Sequence, residues 1–335
     1  MITSIHYKNF KALRDATLPL GRFTLIVGAN GTGKSSAMQG LGMIAKNPRN
    51  SKEIATFESK EEVEIEVSWN IGFNTKYKKS WLDVDGGMRM PEGLVYDNKV
   101  ITDYKLRENI LEPLRQFQSF SFAPEELAKP TVLQSKIKLD ASGKNLAGIL
   151  DQLQNSEPER FEELNKELNR WFYEYDRILF EVPADGQKSF LLRTTVGKHK
   201  IKASELSDGT LLALAYLTIA YLPNPPKIVA FEEPEKGIHP RLLRNIQEAM
   251  YRLAYPENYG ENREPIQVIA TTHSPYLLDL FKDNPEEIVI AEKDENGVHF
   301  ENLAKMKNID KILQGGESLG EVWFTGVLGG VPAHI

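Results

Sequence analysis

Short apolar runs set off by Gly and Pro, with helical spacing between them, organise this chain. Ile2–Tyr7, Ala16–Leu20 and Phe23–Val27 read as strands. A helical stretch then runs from Lys34 to about Lys46, and Pro48 with polar neighbours closes the block. Over 61–82, Val63, Ile65, Val67 and Trp69, then Ile71 and Phe73, alternate with other residues at strand period, and Gly86-Gly87 interrupts the region. From about Lys105 the pattern is helical. Residues 118–123 form a short strand ended by Pro124. Asn145–Gln154 and Glu157–Phe172 read as two helices, the second with Phe161, Leu164, Leu168 and Trp171 on one stripe. Arg177–Val182 and Phe190–Val196 return to strand.

The last third alternates. Helix Asp208–Leu222 precedes strand Ile228–Phe231, helix Arg241–Ala254, strand Gln267–Thr271, helix Tyr276–Phe281 and strand Glu287–Ala291. This order is the sign of parallel βαβ units, and strands apolar throughout are covered on both faces. Strand Phe23–Val27 and the late strands are therefore expected in one sheet, with the middle of the chain inserted. The expected class is α/β: a core from 1–47 and 200–335, and an insertion over 48–199 containing a β lobe and helices.

Composition excludes several chemistries. Of 335 residues, 41% are hydrophobic and 26% charged, ordinary for a soluble globular protein. The absence of cysteine rules out disulfides, thiolate metal sites and cysteine nucleophiles. The net charge of −6 argues against indiscriminate coating of nucleic acid, which needs clustered cations. Two basic runs, Lys76-Tyr77-Lys78-Lys79 and Lys198-His199-Lys200-Ile201-Lys202, leave room for a local basic face; such runs are more often solvated strand or turn surface. The longest apolar run, Leu211 to Leu222, is too short to cross a bilayer, and the first residues carry no basic-then-apolar leader. A cytoplasmic location without a membrane partner is expected.

The candidate chemistry begins at Gly28-Ala29-Asn30-Gly31-Thr32-Gly33-Lys34-Ser35, between an apolar strand and a helix. Glycines let a backbone curl around a phosphate chain with its N–H groups inward. Lys34 would reach the outer phosphates, Ser35 would ligate Mg²⁺, and the helix dipole favours the same anion. Chance would put such a string in about one chain in a hundred of this length. Ile228-Val229-Ala230-Phe231 ends in Glu232-Glu233, where open α/β sheets place ligands. One acid can hold Mg²⁺ through water and the other can polarise an attacking water. Alone, a strand ending in acids is common; paired with an upstream phosphate loop it points to nucleotide hydrolysis. Leu206-Ser207-Asp208-Gly209-Thr210 is either a capped helix start or a second phosphate-binding terminus, and in isolation the first is the commoner case. Thr271-Thr272-His273-Ser274-Pro275 follows the next strand and puts His273 at the same expected sheet edge as the two acids.

In this order the motifs resemble the heads of ABC-type ATPases, P-loop NTPases with a mixed or parallel sheet core, an antiparallel β lobe and an inserted helical region. The details are similar to the RecF, SMC and OLD branch: Asn9-Phe10-Lys11-Ala12-Leu13, Glu232-Glu233-Pro234-Glu235, Gly237-Ile238-His239-Pro240, Gly143-Lys144-Asn145-Leu146-Ala147, and the tail from Gly320-Glu321-Val322-Trp323-Phe324 to Gly329-Gly330-Val331-Pro332. Stand-alone members are linked to phage defence. The resemblance implies ATP and Mg²⁺ bound between two copies. Asn30, Gly31, Gly33, Lys34, Ser35 and Ser36 would hold nucleotide in one copy, and Ser207 and Gly209 would reach its terminal phosphate from the other. Ser35, Glu232 and Gln118 would serve the metal, Glu233 the attacking water, and His273 the γ-phosphate. It implies a homodimer acting as sensor or scaffold for a separate effector, a nuclease or toxin, with nucleic acid as a further partner in phage defence or DNA processing.

Departures from the family pattern are specific. Glu232 stands where Asp is usual, Asp208 puts negative charge beside a phosphate position, and no sustained heptads lie between Lys34 and Leu206, which sets long-armed SMC proteins aside. Two other readings compete. The nucleotide-binding subunit of a membrane transporter would carry Gln and Arg just after the signature. A GTPase switch would carry an Asn-Lys-x-Asp motif. Neither feature is in the sequence.

Overall fold

The computed structural model describes residues 1–45, 62–70, 74–84, 87–89, 92–96, 99–100, 104–134, 137–307, 309 and 318–329. Expectations placed on Lys46, Pro48, Ile71, Phe73, Gly86 and residues 330–332 lie outside them. The chain opens with β1 (Ile2–Phe10), β2 (Leu13–Pro19), β3 (Phe23–Val27) and α1 (Lys34–Ala45). There follow β4 (Val63–Asn70), β5 (Asn74–Val84), β6 (Gly87–Arg89), β7 (Glu92–Tyr96), β8 (Lys99–Val100), α2 (Tyr104–Arg115) and β9 (Phe117–Phe120). The middle holds α3 (Pro124–Leu127), β10 (Thr131–Val132), α4 (Leu146–Ser156), α5 (Pro158–Trp171), β11 (Tyr175–Glu181), β12 (Gln187–Thr194), β13 (Lys200–Lys202) and α6 (Asp208–Ala220). The last third holds β14 (Ile228–Glu232), α7 (Leu243–Ala254), β15 (Gln267–Thr272), α8 (Pro275–Asp279), β16 (Ile288–Asp294), β17 (Gly297–Asn302) and α9 (Leu319–Phe324).

Two compact units form. The first comprises residues 1–119, 226–233 and 265–335; the second comprises 120–225 and 234–264. Compactness divides the chain differently from the core-and-insertion partition drawn on the sequence, because β1 pairs with both β2 and β4, in register Ile5↔Leu18 and Ile5↔Val67. The β lobe therefore grows directly from the N-terminal hairpin, as an antiparallel sheet of order β2-β1-β4-β5-β7-β8 with β6 beside β5. Two of the three lysines in the basic run on β5 are neutralised locally: Lys76 and Lys78 pair with Glu66 and Glu64 across the strands.

The sheet that matters for chemistry has the order β17-β16-β3-β15-β14-β9. β16, β3, β15 and β14 are mutually parallel, as the apolar runs imply. Every residue of β3 and β15 is buried, which is what a strand covered on both faces requires. Gln267 is buried at the start of β15 with each amide group satisfied. Its Oε1 accepts from Ile2 N at 2.9 Å, and its Nε2 donates to Ile2 O at 2.7 Å and Gly21 O at 2.8 Å. Tyr7 of β1 donates its hydroxyl to Ala37 O in α1 at 2.7 Å, and Gly40 admits the ring: a Cβ there would lie 2.5 Å from Tyr7 Cε1.

In the second unit β11, β12, β13 and β10 form a small antiparallel sheet backed by α4 and α5. The expected stripe of α5, Phe161, Leu164, Leu168 and Trp171, is buried. Helix α6 is buried from Thr210 to Ala220, and an apolar helix with no polar face belongs inside a core. Among the described residues, no helix is long and apolar enough to cross a membrane.

Candidate functional site

The loop between β3 and α1 has the shape its glycines permit. Gly31 and Gly33 both sit at φ +82°, a conformation L side chains resist. Gly28 and Gly33 are also sterically required: a Cβ on Gly28 would lie 2.5 Å from Ala291 O, and one on Gly33 2.8 Å from Leu13 Cδ2. A Cβ on Gly31 would meet nothing within 4 Å, so the loop is open on that side. Thr32 closes the turn, its Oγ1 donating to Ala29 O at 2.9 Å. Ala37 N bonds to Gly33 O at 2.9 Å, starting the helical ladder; amides earlier in the first turn have no intrahelical acceptor. Lys34 is 6% exposed, and its ammonium donates to Gly28 O at 2.7 Å and Ala29 O at 2.8 Å. Asn30, Gly31 and Ser35 are exposed and Ser36 is half-buried.

Parallel register brings the other groups to the same edge. Val27 of β3 lies opposite Thr272 of β15 and Ile290 of β16, and Thr271 lies opposite Glu232 of β14. The phosphate loop, Glu232-Glu233 and His273 therefore leave adjacent strands at one carboxyl end, where open α/β sheets bind ligands. Glu233 is held firmly. Its amide donates to Thr271 O at 3.0 Å and to Thr271 Oγ1 at 3.3 Å. Its φ is +47°, a left-handed conformation that a non-glycine residue adopts at a cost. Its carboxylate Oε1 lies 3.2 Å from Nδ1 of His273, both side chains being partly exposed. Glu232 is half-buried. Sequence reasoning missed Thr271, whose spacing alone carries no signal; its role becomes visible only once the β14–β15 register is known.

The remaining candidates sit elsewhere in the fold. Gln118 lies in β9, the strand beside β14. Ser207 and Gly209 belong to the second unit. Ser207 is the N-cap of α6: its Oγ accepts from Thr210 N at 3.2 Å and lies 2.8 Å from Thr210 Oγ1. A Cβ on Gly209 would come 3.2 Å from Gly237 O, so the small residue also serves close packing with the turn after the acids. The capped-helix reading of this segment is thus physically sufficient on its own. Asp208 is exposed in the first turn of α6.

The family described as "AAA domain, putative AbiEii toxin, Type IV TA system" matches residues 99–279, more than half of the chain. The chain belongs to this AAA-domain family. A second family, described as "AAA ATPase domain", matches residues 1–84 and contains the phosphate loop. The AAA-domain protein is also similar to the OLD nuclease of Thermus scotoductus, 22% identical over 349 residues, 89% of this chain and 63% of that protein. The chain thus spans less than two thirds of the length of that relative. Together these matches place it among ATPases of the OLD/RecF-like branch, with a P-loop NTPase fold.

The AAA-domain site suits a magnesium–nucleotide complex in its donor set. Among the described residues no group of three or more His, Cys, Asp or Glu could cage a metal. Mg²⁺ at phosphates needs no such cage, because it keeps waters and takes most other ligands from the phosphates, with one or two from protein. The hydroxyl of Ser35 and the carboxylate of Glu232 are donors of that kind.

Proposed function

We propose that this AAA-domain protein binds ATP with Mg²⁺ at the shared edge of β3, β14 and β15 and hydrolyses it. The observation that carries this reading is the parallel register that delivers loop, acids and histidine to one edge. Lys34 and the amides at the start of α1 bind the phosphates, and Ser35 and Glu232 hold the metal, with Gln118 as a further metal-side group. A bound Mg²⁺ supplies charge neutralisation at the phosphates. Glu233 accepts a proton from the attacking water; the water oxygen bonds to the γ-phosphorus, the bond to the bridging oxygen breaks, and ADP and phosphate leave. His273 orients Glu233 and contacts the γ-phosphate. Catalysis of this kind is positioning and charge stabilisation, and a preset Glu233 backbone serves both.

The same proposal extends to assembly. Two copies close around ATP, with Ser207 and Gly209 of one copy meeting phosphates held by Lys34 and Ser35 of the other. The dimer serves a separate effector, a nuclease or toxin, acting on nucleic acid in the cytoplasm in phage defence or DNA processing. The similarity to an OLD nuclease and the family's toxin–antitoxin description support that class of partner. The test is magnesium-dependent ATP turnover with mass measured by light scattering, for wild type and Lys34→Ala. Turnover and a nucleotide-dependent doubling of mass, both lost in Lys34→Ala, are expected. Unchanged ATP affinity in Lys34→Ala defeats the loop assignment, and a mass indifferent to nucleotide defeats the dimer.

A further inference from the structure

We infer that the α8–α9 pair is a positioning device for His273, with Asp279, Ser318 and Gly320 as its working parts. The inference rests on the proposed role of His273 in hydrolysis. His273 sits between the end of β15 and α8, and on the strand side it is tied down: Ser274 N donates to Thr272 Oγ1 at 2.9 Å. On the other side stands α8, only five residues long. A helix that short has no stability of its own, because nucleation costs more than a single turn returns. Its place must be set by what packs on it.

Helix α9 grips α8 at both ends. At the last residue, Asp279 accepts from Ser318 Oγ at 2.7 Å through one oxygen and from Gly320 N at 2.8 Å through the other. At the first, Gly320 lies flat against Pro275: a Cβ there would come 2.5 Å from Pro275 O and 2.8 Å from Pro275 C. Pro275 is two residues from His273. Helix α9 is itself anchored through Leu319, Val322 and Trp323, all buried, so it offers a fixed surface. The His273 imidazole is 46% exposed, so core packing alone does not fix its ring. The backbone course into Pro275 sets where Nδ1 meets Glu233. A Cβ at position 320 must push the Pro275 backbone, and loss of the Ser318 hydroxyl loosens the opposite end.

The test pairs spectroscopy with kinetics on the full chain. Histidine-labelled protein gives six imidazole signals at most, and the one lost in His273→Ala is His273. That signal is expected to shift in Gly320→Ala and in Ser318→Ala, the second being the milder change should the first unfold. In ATP turnover, both variants are expected to lower kcat, Gly320→Ala by about tenfold, with KM within about twofold, because small misplacements of a reacting group act on rate. An unmoved His273 signal in both folded variants overturns the inference. A wild type without ATP turnover would instead sink the hydrolysis reading, while the His273 signal still decides positioning.

Discussion

Glu233 is held in a backbone conformation that its side chain disfavours, and the cost can be isolated by comparing Glu233→Gly with Glu233→Ala. Both variants lose the carboxylate and its contact with His273, a partly exposed pair worth about 0–1 kcal/mol, so that contribution cancels. Both keep the amide bonds from position 233 to Thr271. They differ in Cβ. At φ +47° a Cβ costs about 1–2 kcal/mol, whereas glycine loses about 0.5–1 kcal/mol more than alanine through unfolded-chain entropy. The difference of the central values leaves Glu233→Gly more stable than Glu233→Ala by about 0.75 kcal/mol, the reverse of the usual order. Urea unfolding followed by tryptophan fluorescence reads this as a higher midpoint at unchanged slope. Neither variant should hydrolyse ATP, because relief of strain does not restore a proton acceptor. If alanine equals or exceeds glycine in stability, the left-handed backbone at this acid is not a stored cost and Glu233 is not preset by its strands.

Glu233→Gln keeps shape and ATP affinity and should accumulate an ATP-bound dimer; wild-type turnover in that variant moves the catalytic role elsewhere. Phe231, 1% exposed in β14, should cost about 3–5 kcal/mol on truncation to alanine, measured by denaturant unfolding. A smaller loss would mean that β14 is not in the centre of the core. Arg193 and Lys198 hold the Asp176 carboxyl down to about 2 from its usual 3.8. A depressed acid contributes stability above its unfolded value, lost as pH falls through the folded one. Asp176→Asn should therefore destabilise at about pH 7, with the deficit against wild type shrinking between about pH 4 and pH 2. A deficit constant across that range would deny the ion pairs their role.

The site was legible where short apolar runs end in punctuating residues. Phe23–Val27, Ile228–Phe231 and Gln267–Thr271 were readable as buried parallel strands, and each of them runs directly into a candidate chemical motif. Helix α6 was readable because its cap and the Pro223 beyond its end bracket an apolar run. Contacts between distant residues were not legible. The strand pairing Ile5↔Val67, the clamp of Asp279 on Ser318 and the support of Glu233 by Thr271 join residues with no local signal. Strand β17, Gly297–Asn302, escaped because its alternation rests on two apolar residues only, Val298 and Phe300, too short a period to separate from a turn; it is selected by pairing with β16 at the sheet edge. Helix α7 begins at Leu243 rather than Arg241 because Pro240 opens a tight 3₁₀ turn, capped by His239 Nδ1 accepting from Arg241 N at 3.2 Å.

Three groups assigned to ligand contact already have partners within the chain, and this changes the energetics expected of nucleotide binding. The Lys34 ammonium is bonded to two loop carbonyls, His273 to Glu233, and Ser207 to Thr210. A hydrogen bond to a charged phosphate is worth about 1.5–3 kcal/mol; the bonds displaced at Lys34 and His273 already involve a charged group and are of the same order, whereas the neutral Ser207–Thr210 bond is worth about 0.5–1.5 kcal/mol. The net gain is then small at Lys34 and His273 and about 1 kcal/mol at Ser207, roughly a factor of five in affinity. On the proposed reading no single contact closes the dimer. Closure needs several exchanges at both sites together, and the terminal phosphate is the one group that all three side chains would share. Loss of that phosphate returns Lys34, His273 and Ser207 to internal partners, so the open state is reached without leaving any of these polar groups unsatisfied.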